Sequence, residues 1–282
     1  METTNKLMTE FQIGKDMVVN RIGYGSMQLT GSGVWGDAPH RNNAKQILQN
    51  AYEAGVNFFD TADAYGPHTN EVLIEEVLHP YYDNIAIATK GGLTRPGPGQ
   101  WVPDGHPDYI RKAIDGSLQR LKTDRIDLWQ LHRIDSKVPV EETLGPVADA
   151  VKAGKIKYVG LSEVGIKEIE QAEKTVPIVS VQNMYNLSNR NWDDVVDYTA
   201  KRNMAFIPWF PLASGPGKIK DKIGTLAQKY NATVAQIALA WLLKRSPNIL
   251  LIPGTSSLEH LQENLETATI ELSDEDFAAL SE

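Results

Sequence analysis

The chain has 282 residues, of which 41% are hydrophobic and 23% charged, enough to bury a core on the scale of an α/β barrel of about 250 residues. A formal net charge of −8 disfavours a general binder of nucleic acid or of anionic membrane. Cysteine is absent, which excludes disulfides and thiolate metal sites and fits a reducing, cytoplasmic setting.

No stretch approaches the roughly 20 apolar residues of a membrane helix, and the polar run Met1–Lys6 has no apolar signal segment. Residues 1–10 read as a tail, and residues 11–282 as one domain. Phe11–Gly14 and Met17–Val19 flank Lys15-Asp16 in a hairpin-like pattern that forms a small β lid. Arg21–Met27 reads as a Gly-rich strand, Gly31–His40 as a loop, and 41–54 as a helix. Strand and helix then alternate. Short runs rich in Ile, Val, Leu and Phe predict strands at 56–60, 84–90, 125–131, 156–161, 178–182, 205–209 and 249–252. Apolar residues at three- and four-residue spacing predict helices at 69–79, 107–121, 140–153, 165–174, 192–203, 219–230, 233–245 and 257–266. Ser273-Asp-Glu-Asp276 opens a final extra helix.

Eight βα units without a linker point to a closed (β/α)8 barrel of the TIM type. The rival is an open doubly wound sheet, whose phosphate-binding loop follows the first strand. One run, Gly31-Ser-Gly-Val-Trp-Gly36, matches its glycine fingerprint, but it lies beyond the strand and leads into Asp-Ala-Pro, not a helix. Gly91–Pro107, rich in Gly and Pro, is a second long loop at the same edge as Gly31–His40.

In such a barrel functional groups gather at the C-terminal ends of the strands. Those ends read Asp60, Lys90, His132, Ser162 and Gln182, with Trp209 near the end of the seventh and Tyr65 five residues past Asp60. The plain alternatives are an Asp that caps the next helix, a solvated Lys and a structurally hydrogen-bonded His. Together the groups suit carbonyl reduction. Hydride delivery to carbon builds negative charge on oxygen, so a proton or a strong hydrogen bond must meet it there. Tyr65 can supply the proton if an ammonium beside it favours the tyrosinate, against a reference pKa of about 10. Lys90 would supply that charge, Asp60 would hold Lys90, and His132 would orient the carbonyl. None of these groups carries a hydride, so a nicotinamide cofactor is required. Gln182 can read an amide, and the flat indole of Trp209 can cover a flat ring. Met27, Trp35, Trp101 and Arg133 complete a candidate substrate pocket that mixes aromatic surface with a cation.

The runs Asp60-Thr-Ala-Asp-Ala-Tyr65-Gly, Ala88-Thr-Lys90-Gly, Leu128-Trp-Gln-Leu-His132, Gly160-Leu-Ser162, Val181-Gln182-Asn-Met-Tyr-Asn186, Pro211-Leu212 and Ile252-Pro-Gly-Thr-Ser-Ser257 with Glu263-Asn264 resemble the aldo-keto reductase family, in order through almost the whole chain. The Gly-rich first strand and the Ile-Pro-Gly-Thr-Ser-Ser run are similar to bacterial-type members that include pyridoxal reductases. The resemblance implies a cofactor lying across the barrel mouth and Asp60, Tyr65, Lys90 and His132 as a catalytic tetrad. It also implies that Ser162 and Gln182 bind the carboxamide, that Trp209 stacks on the nicotinamide, and that Pro211, Leu212, Gly254, Thr255, Ser256, Ser257, His260, Glu263 and Asn264 meet the rest of the cofactor. Glu163 stands where many members have Asn. Gly254 and His260 stand where the best-known members carry the Lys and Arg that grip the extra phosphate of NADPH. NADPH remains the expected cofactor, held there by backbone N–H groups and the hydroxyls of Thr255, Ser256 and Ser257, with NADH discriminated weakly.

Zinc-protease, P-loop and α/β-hydrolase motifs are absent, and His40, His68, His79, His106 and His260 lack metal-ligand spacing. The expected function is NADPH-dependent reduction of a small aldehyde or ketone, without metal, nucleic acid or membrane. The alternatives are a cofactor-loaded redox-sensing subunit with little turnover, and a Schiff-base lyase with Lys90 as nucleophile.

Overall fold

A computed structural model of the chain describes residues 9–81, 84–212 and 218–282. The expected tail, apart from Thr9 and Glu10, lies outside the described residues.

A hairpin comes first, β1 (Glu10–Ile13) antiparallel to β2 (Met17–Asn20). The barrel strands follow: β3 (Tyr24–Gly25), β4 (Phe58–Asp60), β5 (Ala86–Gly91), β8 (Ile126–Leu131), β9 (Ile156–Ser162), β10 (Ile178–Gln182) and β11 (Ala205–Phe206). Between β5 and β8, β6 (Leu93–Thr94) and β7 (Val102–Pro103) make a short antiparallel ribbon, where the sequence reads only as a loop. The seven barrel strands form one parallel sheet in the order β11-β10-β9-β8-β5-β4-β3. The predicted eighth strand is reduced to isolated parallel bridges, Phe206 with Ile249 and Ile22 with Leu251. These close the barrel: Leu250 N–H donates to Phe206 O at 2.9 Å, and Gly23 N–H to Leu251 O at 2.8 Å.

Proline explains why the last strands are shorter than predicted. Pro208 lacks an N–H just past β11, and Pro247 and Pro253 bracket the eighth segment, so neither ladder can extend. Arg21 compensates at the seam, with its guanidinium donating to the carbonyls of Ile249, Leu243 and Ser246 at 2.7 to 3.0 Å. The first strand is also shorter than Arg21–Met27, because Ser26–Gln28 turns as a 3-10 helix. Backbones nearly touch here. A Cβ on Gly25 would lie 2.6 Å from Ile252 O, and one on Gly254 would lie 2.6 Å from Gly25 O.

Helices wrap the outside: α1 (Arg41–Glu53), α2 (Thr69–Leu78), α3 (Pro107–Arg120), α4 (Val140–Lys152), α5 (Ile166–Ala172), α6 (Asp193–Lys201), α7 (Lys218–Lys229), α8 (Val234–Arg245), α9 (Leu258–Glu266) and α10 (Asp274–Ser281). Side-chain caps fix several starts: the hydroxyls of Thr233, Ser257 and Ser273 each accept from a backbone N–H three residues on. Inward helix stripes such as Ile47, Leu48, Leu73 and Ile74, or Leu144, Val147 and Ile169, pack on the outward faces of the strands.

The hairpin lids the N-terminal end of the barrel. Ile13, Met17 and Val19 join Phe58, Ala86, Leu128, Ala205 and Leu250 in one buried cluster, and Lys15 N–H donates to Tyr158 Oη at 2.7 Å. Each fully buried aliphatic side chain there contributes about 1.5–3 kcal/mol. The opposite end is free for chemistry.

Candidate active site

Asp60 ends β4, Lys90 is next to last in β5, and His132 follows β8, so parallel register lifts all three to one rim. Lys90 is fully buried, and its ammonium has three partners: Asp60 Oδ2 at 2.5 Å, Thr61 O at 2.9 Å and Tyr65 Oη at 3.4 Å. Burial opposes the charge on Lys90, but Asp60 and Tyr65 outweigh it and hold its pKa above the ordinary value. Tyr65 reaches this point because its loop is pinned: Tyr65 N–H donates to Ala62 O, and Asp63 N–H to Lys90 O.

Burial raises the pKa of Tyr65, and Lys90 pulls against that without reversing it. The phenol is therefore protonated at neutral pH and becomes a better acid only as charge develops beside it. His132 lies edge-on to Tyr65 with ring centroids 5.8 Å apart. Desolvation, then the charges of Lys90, Arg133 and Arg95, hold its pKa well below the ordinary value, so the imidazole is neutral. Its Nδ1 is buried and meets no hydrogen-bond partner among the described residues.

The other predicted pocket residues divide into groups. Trp101 packs edge-on against both Tyr65 and His132, at 6.4 and 6.1 Å between centroids. Trp35 is tied in through Arg95, whose guanidinium carbon lies 3.6 Å from the Trp101 ring centroid and 5.8 Å from that of Trp35. Met27 sits on the 3-10 turn, 40% exposed. Arg133 donates to Ser162 Oγ at 2.9 Å and lies 5.9 Å from the Trp209 ring centroid. Gln182 is turned toward Asp60: its Nε2 donates to Asp60 Oδ1 at 2.9 Å. Pro211 is buried and Leu212 packs on the main core just beyond Trp209.

Gly254, Thr255, Ser256, Ser257, His260, Glu263 and Asn264 form a separate group across the barrel, around the start of α9. Tyr24 Oη donates to Thr255 O at 2.6 Å, and Asn43 Nδ2 donates to Ser256 O at 2.9 Å. Thr255 Oγ1 accepts from Ser257 N–H at 3.0 Å, and Ser257 Oγ accepts from His260 N–H at 3.3 Å. The backbone of Glu263 accepts from Gln236, and Asn264 Nδ2 is buried with no partner among the described residues. The side chain of His260 is exposed. A lysine in place of Gly254 would collide with strand β3, which gives this chain a steric reason to lack it.

Three contributors, Gln130, Arg95 and Asp63, escaped the sequence reading, and a fourth, Glu163, entered it only as a departure from the family pattern. Gln130, two residues before His132 on β8, donates to Asp60 Oδ1 at 3.2 Å; a polar residue set among Leu128, Trp129 and Leu131 was the available signal. Glu163 has φ +56° and accepts from Met184 N–H at 2.5 Å and Trp209 Nε1 at 2.7 Å, so it fixes the indole. Arg95 donates to four carbonyls, Gly33, Val34, Ala64 and Gln100, at 2.7 to 2.9 Å, joining both long loops to the loop that carries Tyr65. Asp63 is buried, its Oδ1 has no partner among the described residues, and burial followed by Glu71 raises its pKa well above the ordinary value. Among the described residues no group of three or more His, Asp or Glu side chains is placed to hold a metal ion, and no helix is long and apolar enough to cross a membrane.

A profile described as the Aldo/keto reductase family matches residues 21–282. An uncharacterized oxidoreductase from Schizosaccharomyces pombe is 47% identical over 271 residues, covering 95% of this chain and 87% of its own length. The pyridoxine 4-dehydrogenase of Escherichia coli is 40% identical over 268 residues, covering 93% of this chain and 94% of its own length. An aldo-keto reductase from Klebsiella pneumoniae, crystallised in complex with NADPH, superposes with a TM-score of 0.80 at 25% identity, covering 97% of this chain and 94% of that one. The chain belongs to the aldo/keto reductase family.

Proposed function

We propose that the chain reduces a small aldehyde or ketone to the alcohol with NADPH, with Tyr65 as the proton donor. The observation that carries this reading is a buried ammonium, Lys90, that touches both Asp60 and the phenol of Tyr65, with a neutral His132 alongside. Two buried groups that meet no partner among the described residues, His132 Nδ1 and Asn264 Nδ2, and the exposed start of α9 suit a dinucleotide spanning the rim. Ser162, Trp209 and Gln182 would hold its nicotinamide end, and Thr255, Ser256, Ser257 and Asn264 its other end. Bound NADPH supplies the hydride that goes to the carbonyl carbon.

The chain's own residues manage the proton. His132 donates a ring N–H to the carbonyl oxygen and aligns it with Tyr65. Tyr65 gives its proton to that oxygen as the alkoxide develops, and the resulting tyrosinate is stabilised by Lys90. At 3.4 Å that attraction is on the order of 5 kcal/mol for an effective dielectric of about 20. Asp60 keeps Lys90 charged and in place, and solvent later returns the proton to Tyr65.

The Schiff-base alternative is disfavoured, because a nucleophilic lysine must be neutral and free, whereas Lys90 is held charged by three acceptors. The similarity to a pyridoxine 4-dehydrogenase makes pyridoxal and pyridoxine the first pair to assay. A cytosolic setting is proposed on the cysteine-free composition.

The test is NADPH oxidation with a carbonyl panel. Tyr65→Phe is expected to lower kcat by about 100- to 10,000-fold while NADPH still quenches tryptophan fluorescence with native affinity. A variant with native kcat would remove Tyr65 as the acid. Tight NADPH binding without turnover across the whole panel would favour the redox-sensing reading.

A further inference from the structure

The geometry points to Arg133 as the recognition group for an anionic substituent, a carboxylate or a phosphate, carried by the carbonyl substrate; this rests on the reductase reading above.

Arg133 is half-buried at the rim, one residue past His132. Its Nη1 donates to His132 O at 2.5 Å and to Ser162 Oγ at 2.9 Å. Among the described residues its Nε and Nη2 meet no acceptor, and it forms no ion pair. The carboxylate whose field reaches it, Glu163, is engaged through Oε1 by Trp209 and Met184. A guanidinium taken partly out of water without a counter-ion is unfavourable, and its open edge presents the parallel N–H groups that match two oxygens of a carboxylate or phosphate. Arg95, the other unpaired guanidinium at this rim, has its donors on loop carbonyls. Among the described residues the rim carries three cations, Lys90, Arg95 and Arg133, against the carboxylates Asp60 and Glu163, while burial pushes the third carboxyl, Asp63, toward its neutral form, in a chain of net charge −8.

The cofactor's phosphates are the other source of such an anion. Position favours the substrate. Arg133 follows β8 and touches the end of β9, whereas the group around Thr255 to Ser257 lies across the barrel beside β3. The rings of Tyr65, Trp101 and His132 meet edge-on at the same rim, and the Tyr65 phenol lies within electrostatic reach of Arg133, so a flat ring that bears both an aldehyde and an anionic group suits the site.

The test pairs the ortho, meta and para formylbenzoates with the corresponding nitrobenzaldehydes, which present two similar oxygens without the charge. NADPH oxidation is followed for the native chain, Arg133→Gln and Arg133→Lys, with thermal unfolding to show that each variant is folded. For at least one isomer, Arg133→Gln is expected to lose about 30-fold more kcat/KM on the carboxylate than on its nitro partner, chiefly through KM, with partial rescue by Arg133→Lys. Equal losses on both members of every pair would overturn the inference. A weakened NADPH affinity that accounts for the losses on both would assign Arg133 to a cofactor phosphate and overturn it as well. If the native chain turns over none of the aldehydes, the reductase reading fails and the anion site is decided by binding alone. Formylbenzoate quenching of tryptophan fluorescence in the NADP-loaded protein then supports the site if affinity for at least one isomer falls about tenfold in Arg133→Gln, and overturns it if affinity is unchanged.

Discussion

The two ends of the barrel are made by the same strands and obey opposite rules. At the N-terminal end the hairpin presses Ile13, Met17 and Val19 onto Phe58, Leu128 and Leu250, and the cluster is apolar throughout. At the C-terminal rim the same strands bury Asp60, Lys90, Gln130, His132 and Gln182, each 6% exposed or less. One end can be repacked with any hydrophobic set of the right volume. The other holds charges that are tolerable only while every partner stays in place. The difference separates the end that supplies stability from the end where the proposed chemistry is placed.

Substitutions can break that division or sharpen it. Lys90→Met should have the largest effect, because it removes the ammonium beside Tyr65 and leaves Asp60 buried without its counter-ion. Turnover should fall below detection, and urea unfolding should show a loss of about 3–5 kcal/mol. The double variant Lys90→Met with Asp60→Leu should regain part of that stability and none of the activity. Ile13→Ala, at the other end, should cost about 2–5 kcal/mol in the same unfolding measurement and leave kcat at 25 °C within twofold of native. A large change in kcat would show that the two ends are coupled.

The smallest effect is a dependence on pH. Burial and three neighbouring cations depress the pKa of His132 in the folded state, so the unfolded chain binds its proton more readily. The contribution is therefore stabilising above the unfolded value of about 6.5 and is lost as pH falls below it, by up to about 1.4 kcal/mol per pH unit. His132→Gln should remove that slope, so the difference in unfolding free energy between native and variant should shrink or change sign between pH 7.5 and pH 5. A difference that does not change with pH would mean that His132 is not held neutral by the fold.

Much of this was legible in the sequence because parallel strands advertise themselves as short apolar runs, and a charged residue at such a run's end stands out. Asp60, Lys90 and His132 were found that way, and all three fall at one rim. Residues that act by facing inward from within a strand, such as Gln130, carry no such mark. Arg95 sits in a run of Gly and Pro whose path a sequence does not specify, so the clasp it makes on both long loops was invisible. The glycines of the Gly31–Gly36 run, which mimic a phosphate-binding loop, include two at positive φ, Gly33 and Gly36, that let this loop turn back onto Gly66. Glu163 was noted as a departure from the family pattern, but that its carboxylate would grip the indole of Trp209 depended on the left-handed turn it occupies.

Asp60 accepts hydrogen bonds from Lys90, Gln130 and Gln182, which belong to three other strands, β5, β8 and β10. One short side chain thus knots the ends of four staves together, much as a hub collects spokes. Any replacement there would take a shared acceptor from three donors at once, so new specificities on this scaffold are more accessible through the surrounding loops than through the carboxylate at its centre.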